Sequence, residues 1–125
     1  LNSATSSIPS GGTNLERALI EAKKIFPLPD AAYIITDGLP TKGEKSKSLR
    51  NSTIQRGCFK ESPTISSDCR HVLFQQAKDQ YLEGKRIKTS TILLPLEGDV
   101  RAASDYWNLA LQSNGTLISP ARDWP

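Results

Sequence analysis

The sequence is short of the residues on which most catalytic and metal-binding signatures depend. Its 125 residues include two cysteines and one histidine. Two thiols are too few for a structural zinc site unless His71 and a carboxylate join them. His71 has no second histidine at H-x-x-x-H spacing and no serine or cysteine elbow to serve, so it reads as a surface or first-turn residue. P-loop, G-x-G-x-x-G, H-E-x-x-H and G-x-S-x-G patterns are all absent. No apolar run approaches the roughly 20 residues that span a bilayer. The start from Leu1 is polar and serine-rich, unlike a signal peptide. The net charge is +3, with a pI near 9.0. Lys42, Lys45, Lys47 and Arg50 cluster, as do Lys85, Arg86 and Lys88. No aromatic residues interleave with them as a base-stacking surface requires. They read as solvated loops and helix ends, and no nucleic-acid partner is expected.

What is present is a globular composition, 37% hydrophobic and 23% charged, in a length that suits one small domain. Its organising stretch is AAYIITDG, Ala31 to Gly38. Tyr33, Ile34 and Ile35 form an apolar run without alternation, the pattern of a strand buried on both faces. In an open α/β sheet, ligands bind just past the carboxyl ends of the strands. Asp37 falls at that edge, and Gly38 lets the backbone turn beside it.

Upstream, residues 1–12 read as a loop or ragged terminus. A first helix is predicted from Asn14 to Phe26, with Leu15, Ala18, Leu19, Ala22 and Phe26 in one apolar stripe. Thr13 and Glu16 spell a T-x-x-E capping box, and Pro27 and Pro29 stop the helix. Residues 38–68 form a long polar insertion, either a functional wall over the ligand face or a variable surface loop. It holds Cys58 and, just beyond, Cys69. A local disulfide between them is the first expectation and would favour an exported location. Two free thiols are the second and a metal site the third.

A second helix is predicted from Cys69 to Glu83, with Leu73, Phe74, Ala77 and Tyr81 inward and Asp68 as N-cap. Ile87 to Leu94 reads as a second parallel strand, and Leu96-Glu97-Gly98 as a short loop above the sheet. Asp99 is read as N-cap of a third helix through Gln112, with Val100, Ala103, Trp107, Ala110 and Leu111 facing the core. Asn114-Gly115 is a left-handed helix stop. Thr116 to Ser119 is a short last strand, and Trp124 lies in the tail.

The alternation of helix and strand predicts an α/β fold, a parallel sheet with helices on both faces. SGGTNLERAL at Ser10–Leu19 and IITDGLPT at Ile34–Thr41, followed by this rhythm, resemble the C-terminal part of a bacterial von Willebrand factor A domain. The resemblance implies a Rossmann-like sheet of which these are the last three strands of six. It also implies a metal-ion-dependent adhesion site in which Thr13 and Asp37 match the threonine and aspartate loops. The third loop, D-x-S-x-S on the family's first strand, does not occur in the sequence.

The function implied is divalent-cation-dependent protein binding, with no turnover. Mg²⁺ or Mn²⁺ would sit among hard oxygens and bind a partner's carboxylate. With two of the five ligand side chains, this chain is expected to bind the cation weakly or not at all. The strand carrying Asp37 would expose an open edge. It would require the missing N-terminal half or self-association to cover it. An accessory role in an ATPase or metal-chelatase complex is the alternative. A phosphoryl-transfer reading centred on Asp37 is weakened by Leu94-Pro95 and Ser119-Pro120 at the other strand ends. The resemblance points to an exported or cell-envelope protein.

Overall fold

The chain is described by a computed structural model over residues 12–43, 58, 66–95 and 99–120. β1 (Ala31–Thr36), β2 (Lys88–Leu93) and β3 (Leu117–Ile118) form a parallel sheet in the order β1-β2-β3. Before β1 lies α1 (Leu15–Lys23); α2 (Ser67–Tyr81) and α3 (Ala102–Ser113) make the two crossovers. The α/β class and the parallel sheet are as the sequence predicts. The expectations for residues 1–11, for 44–57 and 59–65 of the long insertion, for Leu96-Glu97-Gly98 and for Trp124 lie outside the described residues.

The helix placement differs from the expectation. Among the described residues, all three helices pack on one face of the sheet. Leu15 and Leu19 of α1, Phe74, Ala77 and Tyr81 of α2, and Tyr106 and Leu109 of α3 share one core. The sheet side of that core is Ala32, Ile34, Leu93 and Leu117. Phe74 and Tyr106 meet edge to face at 4.9 Å. In register, Ala32 lies beside Thr89, Ile34 beside Thr91 and Thr36 beside Leu93, so these residues share the covered face. The alternate positions point the other way: Tyr33 is 73% exposed and Ile35 68%. The unbroken apolar run of β1 thus marks a strand covered on one face only here.

Several boundaries move for local reasons. Asn14, not Thr13, caps α1, its Oδ1 accepting from Arg17 N–H at 3.0 Å. The expected capping box does not form; Glu16 is instead buried between helices and accepts from Gln76 Nε2 at 2.7 Å. α1 ends at Lys23, leaving Phe26 exposed rather than in the stripe. Ser66 caps α2 through Cys69 N–H at 3.2 Å. Asp68, in the first turn, pairs with Arg101 at 2.8 Å instead. Cys58 and Cys69 are joined by a disulfide, tying a residue of the insertion to the start of α2.

α3 presents a different face from the predicted one. Ala102, Asp105, Tyr106, Leu109, Ala110 and Ser113 are buried. Val100, Ala103, Trp107 and Leu111 are exposed, so Trp107 is not a core residue. The polar members of the buried face find partners. Ser113 Oγ donates to Leu109 O at 2.8 Å and accepts from Thr89 N–H at 3.3 Å. The helix stops where expected, with Asn114 in the left-handed conformation at φ 58°. Gly115 follows because any Cβ there would strike the Thr89 carbonyl of β2.

Candidate functional site

The carboxyl edge of the sheet gathers the residues the sequence singled out. β1 ends at Thr36, and the chain turns through Asp37-Gly38. Thr36 Oγ1 stabilises that turn, donating to Gly38 O at 2.9 Å and accepting from Gly38 N–H at 3.3 Å. This is the local hydrogen bonding that threonine offers at strand ends. It leaves the Asp37 carboxylate exposed, with no hydrogen bond or ion pair among the described residues. The Asx-type turn that could have occupied Asp37 is therefore made by its neighbour.

Thr13 is brought to the same edge by its backbone. Its N–H donates to Thr41 Oγ1 at 2.9 Å, and its carbonyl accepts from Thr41 and Lys42 N–H, both at 3.0 Å. Gly12 permits this approach, since a Cβ there would meet Thr41 Oγ1. With Asn14 as the cap, the Thr13 hydroxyl has no hydrogen bond among the described residues. The threonine loop and the loop after Asp37 are thus pinned together.

Sequence reasoning missed the groups that hold this edge from below. Asp99 is read as a helix cap, but its side chain is buried instead. Its Oδ2 accepts from Leu39 N–H at 3.3 Å and lies 3.8 Å from Arg70 Nη1. Its Oδ1 is buried without a hydrogen bond in the structure. Tyr106 donates its hydroxyl to Gly38 O at 3.0 Å. Burial, above all, pushes the Tyr106 phenol up to about 12, and the nearby Asp105, Asp99 and Asp37 carboxylates push the same way against a Thr36 hydrogen bond. It stays a donor across the physiological range. His71 is not a plain surface residue: its Nδ1 lies 2.7 Å from Asp105 Oδ2, with that carboxylate buried. An aspartate that follows a strand end at a few residues' distance is the one signal that would have flagged Asp99.

Chemically, the edge offers one free carboxylate and one free hydroxyl on loops that are locked together. Both are hard oxygen donors of the type Mg²⁺ and Mn²⁺ take. Among the described residues, no three His, Cys, Asp or Glu side chains are grouped to hold a metal ion. Comparisons with protein-family profiles, with curated proteins and with solved structures found no match for this chain.

Proposed function

We propose that this chain is the C-terminal portion of a divalent-cation-dependent protein-binding module of the von Willebrand factor A type, in an exported or cell-envelope protein. The observation that carries the reading is the pinning of the Thr13 loop to the segment after Asp37, which leaves both oxygen donors at one sheet edge. Thr13 and Asp37 would hold Mg²⁺ or Mn²⁺, directly or through water. The cation would supply the positive charge that captures a partner's carboxylate. The loops themselves orient the donors and turn nothing over. Two donors do not fill the six-oxygen shell Mg²⁺ demands; water and, as the resemblance implies, a D-x-S-x-S loop would supply the rest.

The test is calorimetric. Titrated with MgCl₂ or MnCl₂, the 125-residue chain alone gives a Kd of about 1 mM or weaker, as expected for an incomplete oxygen shell. A micromolar site on the chain alone would overturn the reading.

A further inference from the structure

We infer that the seam between α1 and α2 is a binding site for a small aromatic monocarboxylate, with the Lys23 ammonium as its charge partner. The site is separate from the sheet edge and does not depend on cation binding there.

α1 and α2 pack against each other but leave a cavity of about 240 Å³ between them. Its walls are mostly apolar, with Leu19 and Ile20 from α1 and Ala77 and Tyr81 from α2. Ala77 is the smallest of the residues that α2 buries, and it leaves the gap. Polar contacts tie the helices together on either side. Glu16 accepts from Gln76 Nε2 at 2.7 Å. Two turns on, Lys23 Nζ donates to Glu83 O at 3.0 Å and to Lys85 O, just past the end of α2. The helix rises about 10.5 Å between Glu16 and Lys23, and this spacing puts both on one face with Leu19 and Ile20. The cavity therefore lies between two fixed ends of opposite charge.

Lys23 supplies the recognition. An ammonium has three N–H donors, and Lys23 uses two of them on carbonyls. Its Nζ lies 5.8 Å from the centroid of the Tyr81 ring, a cation–π contact that helps to hold it in place. No carboxylate pairs with Lys23 among the described residues, whereas its neighbour Lys24 pairs with Glu21 at 3.2 Å. The result is a half-buried positive charge with a spare donor and no counter-ion, at one end of an apolar cavity. A carboxylate fits that end through a charge-assisted hydrogen bond. Glu16, at the other end, repels an anion, so a monocarboxylate enters in one orientation.

The cavity also sets the body of the ligand. A void of about 150 Å³ holds benzene, so about 240 Å³ takes a ring with a short carboxylated chain. The Tyr81 hydroxyl is bonded to Thr89 Oγ1 at 2.7 Å, which leaves the Tyr81 ring to meet an aromatic group. Ile20 is half-buried and Lys24 and Gln80 are exposed, so the cavity opens to solvent on that side.

Titration of the isotope-labelled 125-residue chain with hydrocinnamate, followed by amide chemical shifts, tests this against the primary amide of the same acid, which keeps the shape and lacks the charge. The expected result is saturable shifts at Leu19, Ile20 and Ala77, with a Kd of about 1 mM or tighter for the acid. The amide binds at least about fivefold more weakly. Lys23→Met keeps the apolar stem, removes the ammonium and abolishes the preference for the acid; Lys24→Met leaves the preference unchanged. Ile20→Trp fills the open side and weakens acid and amide alike. Absence of saturable shifts at these amides well into the millimolar range would overturn the inference. So would equal binding of acid and amide by the wild type, or a preference that survives Lys23→Met. The comparison of acid with amide is made on the wild-type chain, so it stands even where a variant does not fold. No metal enters the measurement, which keeps its failure separate from a failure of the cation site.

Discussion

Replacing Tyr106 with phenylalanine removes one oxygen from a site whose geometry sets the outcome at two different pH values. The ring is fully buried against Phe74, and the hydroxyl donates to Gly38 O at 3.0 Å. At neutral pH the variant loses a buried hydrogen bond, a cost of about 1 kcal/mol. The Gly38 carbonyl still accepts from Thr36 Oγ1, so it is not left bare and the cost stays at that level.

Alkaline pH reverses the comparison. The folded phenol titrates at about 12, against an ordinary value of 10.0. A raised folded pKa means that the native state holds its proton more tightly than the unfolded chain does. The stability this contributes is complete below pH 10 and is lost as pH rises through the folded value. The loss runs at up to about 1.4 kcal/mol per pH unit. The phenylalanine variant has no such slope, so the two stability curves converge above pH 10 and meet near pH 11. Urea unfolding followed by circular dichroism from pH 7 to 11.5 measures both curves. A stability difference that stays constant over this range would refute the argument, because it would mean that Tyr106 ionises as freely folded as unfolded.

Further outcomes follow from the packing. Gly115→Ala drives a methyl group into the Thr89 carbonyl, and is expected to cost more than about 3 kcal/mol. Gly84→Ala meets open space at φ +70° and costs only about 1 kcal/mol; urea midpoints separate the two. Reducing the Cys58–Cys69 disulfide, which closes a short loop of sequence separation 11, is expected to lower stability by about 2–3 kcal/mol, read as a drop in melting temperature with dithiothreitol. Trp107→Ala, on the exposed side of α3, shifts stability by less than about 0.5 kcal/mol, whereas Leu109→Ala, fully buried, costs about 2–5 kcal/mol.

How much of this was legible in the sequence depended on whether a residue's role was set by its neighbours in the chain or by distant ones. β1, the helix stop at Asn114 and the core of α2 were readable, because apolar runs and a left-handed turn are local signals. The face of α3 was not. Its buried side carries Asp105 and Ser113, which pattern reading assigns to solvent. They are tolerated inside because His71 and Thr89, from other elements, meet them. Trp107 and Leu111 drew the stripe to the wrong side for the same reason.

The caps were ambiguous in kind, since Thr13 and Asn14, or Ser66 and Asp68, are all good capping residues. Backbone contacts such as that of Thr13 with Thr41 decided between them. At the site, Thr13 and Asp37 could be named from their motifs. Asp99 and Tyr106 could not, because their partners Leu39 and Gly38 lie about sixty residues earlier in the chain.

The most direct test of the central claim is a Mn²⁺ titration into the millimolar range followed by electron paramagnetic resonance, on the 125-residue chain as wild type and as Asp37→Ala. If Asp37 is a cation ligand, the variant binds Mn²⁺ at least about tenfold more weakly than the wild type, the loss expected when a ligand carboxylate is removed. Equal affinity in the two proteins would show that Asp37 holds no cation, and would contradict the account.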